Sequence, residues 1–171
     1  MVLAQQSECQ EILQLYDAVI LWMHKEFEKP WWFSGRYPNW DTVCDAVSKK
    51  ELYLLKIDNQ IAAVAVFNHE QPLVYQSLDW EDFDKTEVLV IHTLAVHPSY
   101  QGRGLTRKIL EFAEQWAKKQ HLKAIRFDTF EYNLPAQHIY QTSGYQKIGV
   151  VDLGIEIPYM RNFYCYQKLI G

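Results

Sequence analysis

Apolar residues at Ile12, Leu13, Leu15, Tyr16, Val19, Ile20, Met23 and Phe27 recur in steps of three and four. That spacing predicts a helix from about Ser7 to Phe27, closed by Pro30. Trp31 to Trp40 has no period, but it holds three Trp, one Phe and one Tyr beside Gly35 and Pro38, so it reads as a loop packed over something. A short helix over Trp40–Ser48 follows. Leu52 to Ile57 and Ile61 to Phe67, joined through Asp58, Asn59 and Gln60, read as a hairpin. Past an irregular acidic stretch (Asp79, Glu81, Asp82, Asp84), Glu87 to Val96 is apolar at both alternating sets of positions, the mark of a strand covered on both sides. Leu105, Ile109, Phe112, Ala113, Trp116 and Ala117 then form the apolar stripe of an amphipathic helix. Ala124 to Thr129 is a further strand, Leu134 to Thr142 a short helix, and Tyr145 to Asp152 and Arg161 to Leu169 two more strands.

The order is mixed α/β, with one strand–helix–strand crossover at its centre. No repeat, linker or low-complexity run interrupts the 171 residues, so one domain over 1–171 is expected. An apolar fraction of 49% with 22% charged residues fits a globular core and excludes disorder. A net charge of −4 argues against binding to nucleic acid or anionic lipid through the overall field. No apolar run approaches the ~20 residues of a membrane span, and Met1 to Gln10 do not resemble a secretory signal, so a cytoplasmic location is the default. Cys9, Cys44 and Cys165 lack metal-ligand spacing and read as reduced thiols, with no metal expected.

Between the central strand and the amphipathic helix lie His97, Pro98, Ser99, Tyr100, Gln101, Gly102, Arg103 and Gly104. A glycine-rich turn at a helix start exposes backbone N–H groups and the positive end of the helix dipole, which suits a phosphate. Gly-x-Gly is equally compatible with a plain tight turn. The dinucleotide fingerprint fails because Arg107 stands where its third glycine belongs, and the P-loop fails for want of a Gly-Lys-Ser/Thr ending.

Gln101, Gly102, Arg103, Gly104, Leu105 and Thr106 instead resemble the acetyl-CoA loop of the GNAT superfamily of N-acetyltransferases: Gln or Arg, two residues, Gly, one residue, Gly or Ala. Thr106 departs from the small last residue. The resemblance extends upstream through Leu94, Ala95, Val96, His97 and Pro98. It extends downstream through Asn133, Ala136, Tyr140, Gly144 and Tyr145, and is strongest over Glu87 to Val150. It implies a mixed, mostly antiparallel central sheet with helices on both faces and a splayed central strand pair, its first strand short or missing within Met1 to Gln5.

The resemblance further implies direct attack of a primary amine on acetyl-CoA in a ternary complex. Backbone N–H groups near Leu94 and Val96 would hold the thioester oxygen, the Gln101 to Thr106 loop the pyrophosphate, and Asn133 a cofactor amide or phosphate. Tyr140 would protonate the leaving thiolate, although on an amphipathic helix it can simply pack, and Asn133 can simply cap the helix that follows it. A protonated amine needs a base. His92, two residues before Leu94 and on its face by strand alternation, is one candidate, and Glu87, acting through water, is a second; a core histidine is the plain alternative for His92. His97 belongs to the turn. Trp31, Trp32, Phe33, Tyr37 and Trp40 could wall an acceptor pocket, with Glu26, Glu28 or the acidic run attracting a cation. The acceptor, a small molecule or a peptide, is not specified, and a homodimer is left open. A non-catalytic acyl-CoA sensor of the same fold is the rival reading.

Overall fold

The structure is a computed structural model that describes Met1 to Gly171. Seven strands form one sheet: β1 (Val2–Leu3), β2 (Leu52–Ile57), β3 (Gln60–Asn68), β4 (Val88–Val96), β5 (Ala124–Phe130), β6 (Gln146–Val151) and β7 (Phe163–Leu169). Their order is β1-β2-β3-β4-β5-β7-β6. β1/β2, β2/β3, β5/β7 and β6/β7 are antiparallel, and β4/β5 is parallel. Four helices accompany them: α1 (Cys9–Glu26), α2 (Trp40–Ser48), α3 (Leu105–Lys119) and α4 (Leu134–Thr142).

The chain forms two compact units, one of residues 1–67 and 92–109 and the other of 68–91 and 110–171. In the first, Ile12, Leu15, Tyr16, Val19 and Met23 of α1 join Val43, Ala46 and Val47 of α2 against Leu52, Leu54, Val64 and Val66. Each buried Ile, Leu, Val or Met among them contributes about 1.5–3 kcal/mol by leaving water. The hairpin turns at Asp58 and Asn59, both at positive φ (50° and 63°), the pair of left-handed residues that a two-residue turn between twisted strands requires. Asn39 starts α2 by accepting from the Thr42 N–H at 2.9 Å. The aromatic loop does pack over something. It lies along α1, with the Trp31 N–H on Met23 Sδ, Trp32 edge-on to Tyr16 at 5.8 Å and Phe33 edge-on to His24. Trp31 and Trp32 are thus partly buried against this core.

In the second unit β5 is central, fully registered with β7 and paired with β4 only over Val88–Val90. The acidic stretch, which has no apolar period, is flanked by two 3-10 turns, Leu73–Ser77 and Lys85–Glu87. The first strand is indeed short, two residues paired to β2. No helix is long and apolar enough to cross a membrane.

Candidate active site

β4 changes character halfway. Val88 to Ile91 are buried, whereas His92, Thr93 and Leu94 are partly exposed. The break coincides with Thr93, whose φ of +47° is rare for a β-branched residue and costs about 1–3 kcal/mol. Tyr16 of α1 holds it there. Its buried hydroxyl donates to the Thr93 carbonyl at 2.9 Å and stands 3.0 Å from Thr93 Oγ1. Burial keeps this phenol well above its ordinary range, so it remains a neutral donor. A left-handed residue between His92 and Leu94 interrupts strand alternation, so their sharing a face does not follow from the two-residue spacing. Tyr16→Phe should cost about 1–2 kcal/mol in a urea melt through the lost hydrogen bonds. A wild-type midpoint would mean that the kink holds itself.

The loop after β4 is anchored at its start. The His97 N–H donates to the Ala62 carbonyl, His97 Nδ1 accepts from the Ser99 N–H, and Tyr100 donates to Gln60 Oε1 at 2.7 Å. His97 thus serves the turn. Beyond it the N–H groups of Gly102, Arg103, Gly104, Leu105 and Thr106 meet no acceptor within the chain. Gly102 and Gly104 stand at φ +73° and +71°, and a Cβ on either would meet no protein atom within 4 Å. Five unengaged donors at the start of a fifteen-residue helix, beside open space, form a cradle for an anion of phosphate size.

Asn133 caps α4, its Oδ1 accepting from the Ala136 N–H at 3.4 Å and its Nδ2 donating to Thr129 Oγ1. Tyr140 lies on Phe127, ring centroids 4.5 Å apart, and its hydroxyl makes no hydrogen bond within the chain. Burial, then the charge of Asp128, pushes its pKa up, which keeps the proton on the phenol and makes it a reluctant donor. Glu87 precedes β4 instead of lying on it, and its carboxylate closes a capping box by accepting from the Asp84 N–H at 3.2 Å. Leu94, Ala95 and Val96 form the end of β4, of which Ala95 alone is buried.

No group of three His, Cys, Asp or Glu could hold a metal. The three cysteines are free; burial first, then Cys44, pushes the Cys9 thiol up to about 11, and burial first, then Asp128, pushes Cys165 to about 12, so neither is a ready nucleophile.

Arg126 drew no notice in the sequence. Buried in the middle of β5, it gives Nε to Gln167, Nη1 to Gln71 and Nη2 to the Glu81 carbonyl at 2.6 Å, with its guanidinium over Trp80. Two charged residues, Arg126 and Asp128, inside an otherwise mostly apolar seven-residue strand are the signal available in the sequence.

The acetyltransferase (GNAT) family model matches residues 13–145. The chain belongs to this family. Among curated proteins it is 33% identical over 75 residues to the streptothricin acetyltransferase of Escherichia coli, covering 43% of this chain and 39% of that protein. It is 24% identical over 115 residues to the uncharacterized N-acetyltransferase YesJ of Bacillus subtilis (strain 168), covering 67% of this chain and 63% of that one. The matches thus span less than two thirds of either relative's length. Among solved structures, a GNAT family acetyltransferase from Streptococcus agalactiae 2603 superposes with a TM-score of 0.82 at 25% identity, over 99% of this chain and 94% of the other. This GNAT member has the mixed, mostly antiparallel sheet that the loop motif implied.

Proposed function

We propose that this GNAT protein transfers acetyl from acetyl-CoA to a primary amine. Family membership supports the reaction class, and the five unengaged N–H groups from Gly102 to Thr106 are the observation that carries the cofactor reading. A structural neighbour with a TM-score of 0.73 and 16% identity over 99% of this chain and 92% of its own, yncA of Salmonella typhimurium, was solved with its cofactor acetyl-CoA. The loop backbone receives the pyrophosphate, with Gln101 at its entrance and the Thr106 hydroxyl as an extra donor. Leu94, Ala95 and Val96 take the pantetheine through backbone groups, and one backbone N–H there stabilises the thioester oxygen as charge develops, an effect worth about 3 kcal/mol per donor. Asn133, besides capping α4, contacts the cofactor.

The free amine attacks the acetyl carbon, forming C–N as C–S breaks. The departing sulfur takes a proton from Tyr140, and the nitrogen gives one up to a base. His92 is the candidate base on β4; Glu87, engaged in its capping box, would act only through water. His92→Ala should slow the reaction most at low pH, where little amine is free, and recover as pH rises towards the amine's own pKa near ~10. Equal loss at every pH would make His92 structural.

The deciding experiment is an acceptor screen with thiol detection, with streptothricin as the first amine because of the E. coli relative. Release of CoA thiol that depends on an amine supports the reading. Tight acetyl-CoA binding without thiol release under any acceptor would identify a sensor.

A further inference from the structure

β5 presents two chemically distinct faces within the second unit. Phe127 and Thr129 point to one side, where they meet Tyr140 and Asn133. Arg126 and Asp128 point to the other. Across that second face Asp128 is in register with Cys165, and Cys165 with Gly149. The absence of a side chain at Gly149 lets the segment after β3 settle close, since a Cβ there would stand 2.6 Å from Leu78 Cδ2. This segment carries Tyr75, whose hydroxyl donates to Asp128 Oδ2 at 2.6 Å, and Trp80, whose ring lies 5.3 Å from that of Tyr75.

Asp128 stands out on three grounds. It is partly exposed, whereas Phe127, Thr129, Tyr75 and Cys165 around it are buried, so solvent reaches part of this residue in the middle of the strand. Its sole hydrogen bond within the chain is the one from Tyr75, which leaves Oδ1 unengaged. It also has no cationic partner. Arg126, two residues away on the same face, directs its three nitrogens to Gln167, Gln71 and the Glu81 carbonyl instead. A carboxylate largely withdrawn from water is costly unless a cation meets it, and Arg126 is already engaged elsewhere. Burial accordingly raises the Asp128 carboxyl above its ordinary value, with the Tyr75 hydrogen bond opposing, and an arriving cation favours the ionised form.

We propose that Asp128 is the docking group for the acceptor's ammonium: a primary alkylammonium approaches the exposed part of Asp128 on this face of β5 and pairs with Oδ1, while Tyr75 orients the carboxylate through Oδ2. This deepens, and rests on, the acetyl-transfer reading. Tyr140 packs on Phe127, the neighbour of Asp128 in β5, and the charge of Asp128 adds to burial in raising the Tyr140 phenol. Aromatic rings beside a single anion suit an alkyl chain ending in a cation. A neutral alcohol of equal length lacks the decisive contact.

The test uses the full chain saturated with CoA, titrated calorimetrically with 1,5-diaminopentane and, separately, with 1-pentanol. The wild type should bind the diamine at least about tenfold more tightly than the alcohol, and Asp128→Asn should weaken diamine binding at least about tenfold while CoA affinity stays within about twofold. In the wild type, independent of any variant's folding, the diamine should shift the side-chain carboxyl carbon resonance of Asp128. Equal binding of diamine and alcohol, an Asn variant that keeps wild-type affinity, absence of diamine binding by CoA-loaded protein, or an unmoved Asp128 resonance would each overturn the assignment. Failure of the wild type to bind CoA would instead overturn the acetyl-transfer reading.

Discussion

Tyr140→Phe should lower turnover by about 10² to 10⁴ while leaving acetyl-CoA affinity unchanged, because on the proposed mechanism only the proton donor is removed and general acid catalysis is worth that much. The phenyl ring keeps its packing on Phe127, 4.5 Å away, and on Tyr166, 5.6 Å away, so folding stability should change little. The hydroxyl makes no hydrogen bond in the chain that the substitution would break. Burial and the charge of Asp128 have a cost here: the phenol is a weaker acid than one in water, so transfer to sulfur is uphill until negative charge has gathered on the leaving group. Pre-steady-state thiol release should therefore show the defect in the chemical step. Full turnover by the variant, with chemistry limiting, would make Tyr140 a packing residue.

Gly104→Val should reduce acetyl-CoA affinity by about a hundredfold or more, measured by calorimetry. The φ of +71° costs a side chain about 1–2 kcal/mol, and the new methyls would stand in the open space beside the loop's unengaged N–H groups. Gly35 supplies the control. It also stands at positive φ (+74°) with nothing within 4 Å of a Cβ, but it lies in the aromatic loop over α1. Gly35→Val should pay a similar backbone cost in a urea melt and leave acetyl-CoA affinity alone. Equal effects of the two substitutions on affinity would show that the loop's glycines serve the fold only.

The elements were legible because their signals are local. α2 and α4 begin and end where the residue pattern places them, and Asp58-Asn59 marks the hairpin by its tolerance of left-handed backbone. The family's loop and its Asn133/Tyr140 companion could be read for the same reason, as spacings along one stretch of chain. Tyr16 could not. In the sequence it is one more apolar position on the face of α1; that its hydroxyl reaches Thr93, 77 residues away, depends on tertiary packing. Thr93 itself carries no local mark, since threonine is an ordinary strand residue and only its surroundings hold it at positive φ. The expectation that His92 and Leu94 share a face assumed a regular pleat and met this kink. Arg126 and Asp128 sat in plain view as charges inside a strand, but their unequal partners, three for the guanidinium and one for the carboxylate, come from β7 and from the segment after β3.

The unengaged donors of the 102–106 loop have a dynamic corollary. Amides without an intramolecular acceptor exchange with solvent deuterium at nearly unprotected rates, while those in the body of α3 wait for an opening event. A bound pyrophosphate would convert the same five into acceptor-satisfied groups. The free protein should thus label within seconds at these positions, and saturation with ligand should leave a short, contiguous blank in the exchange map, a footprint readable before any substrate has been found.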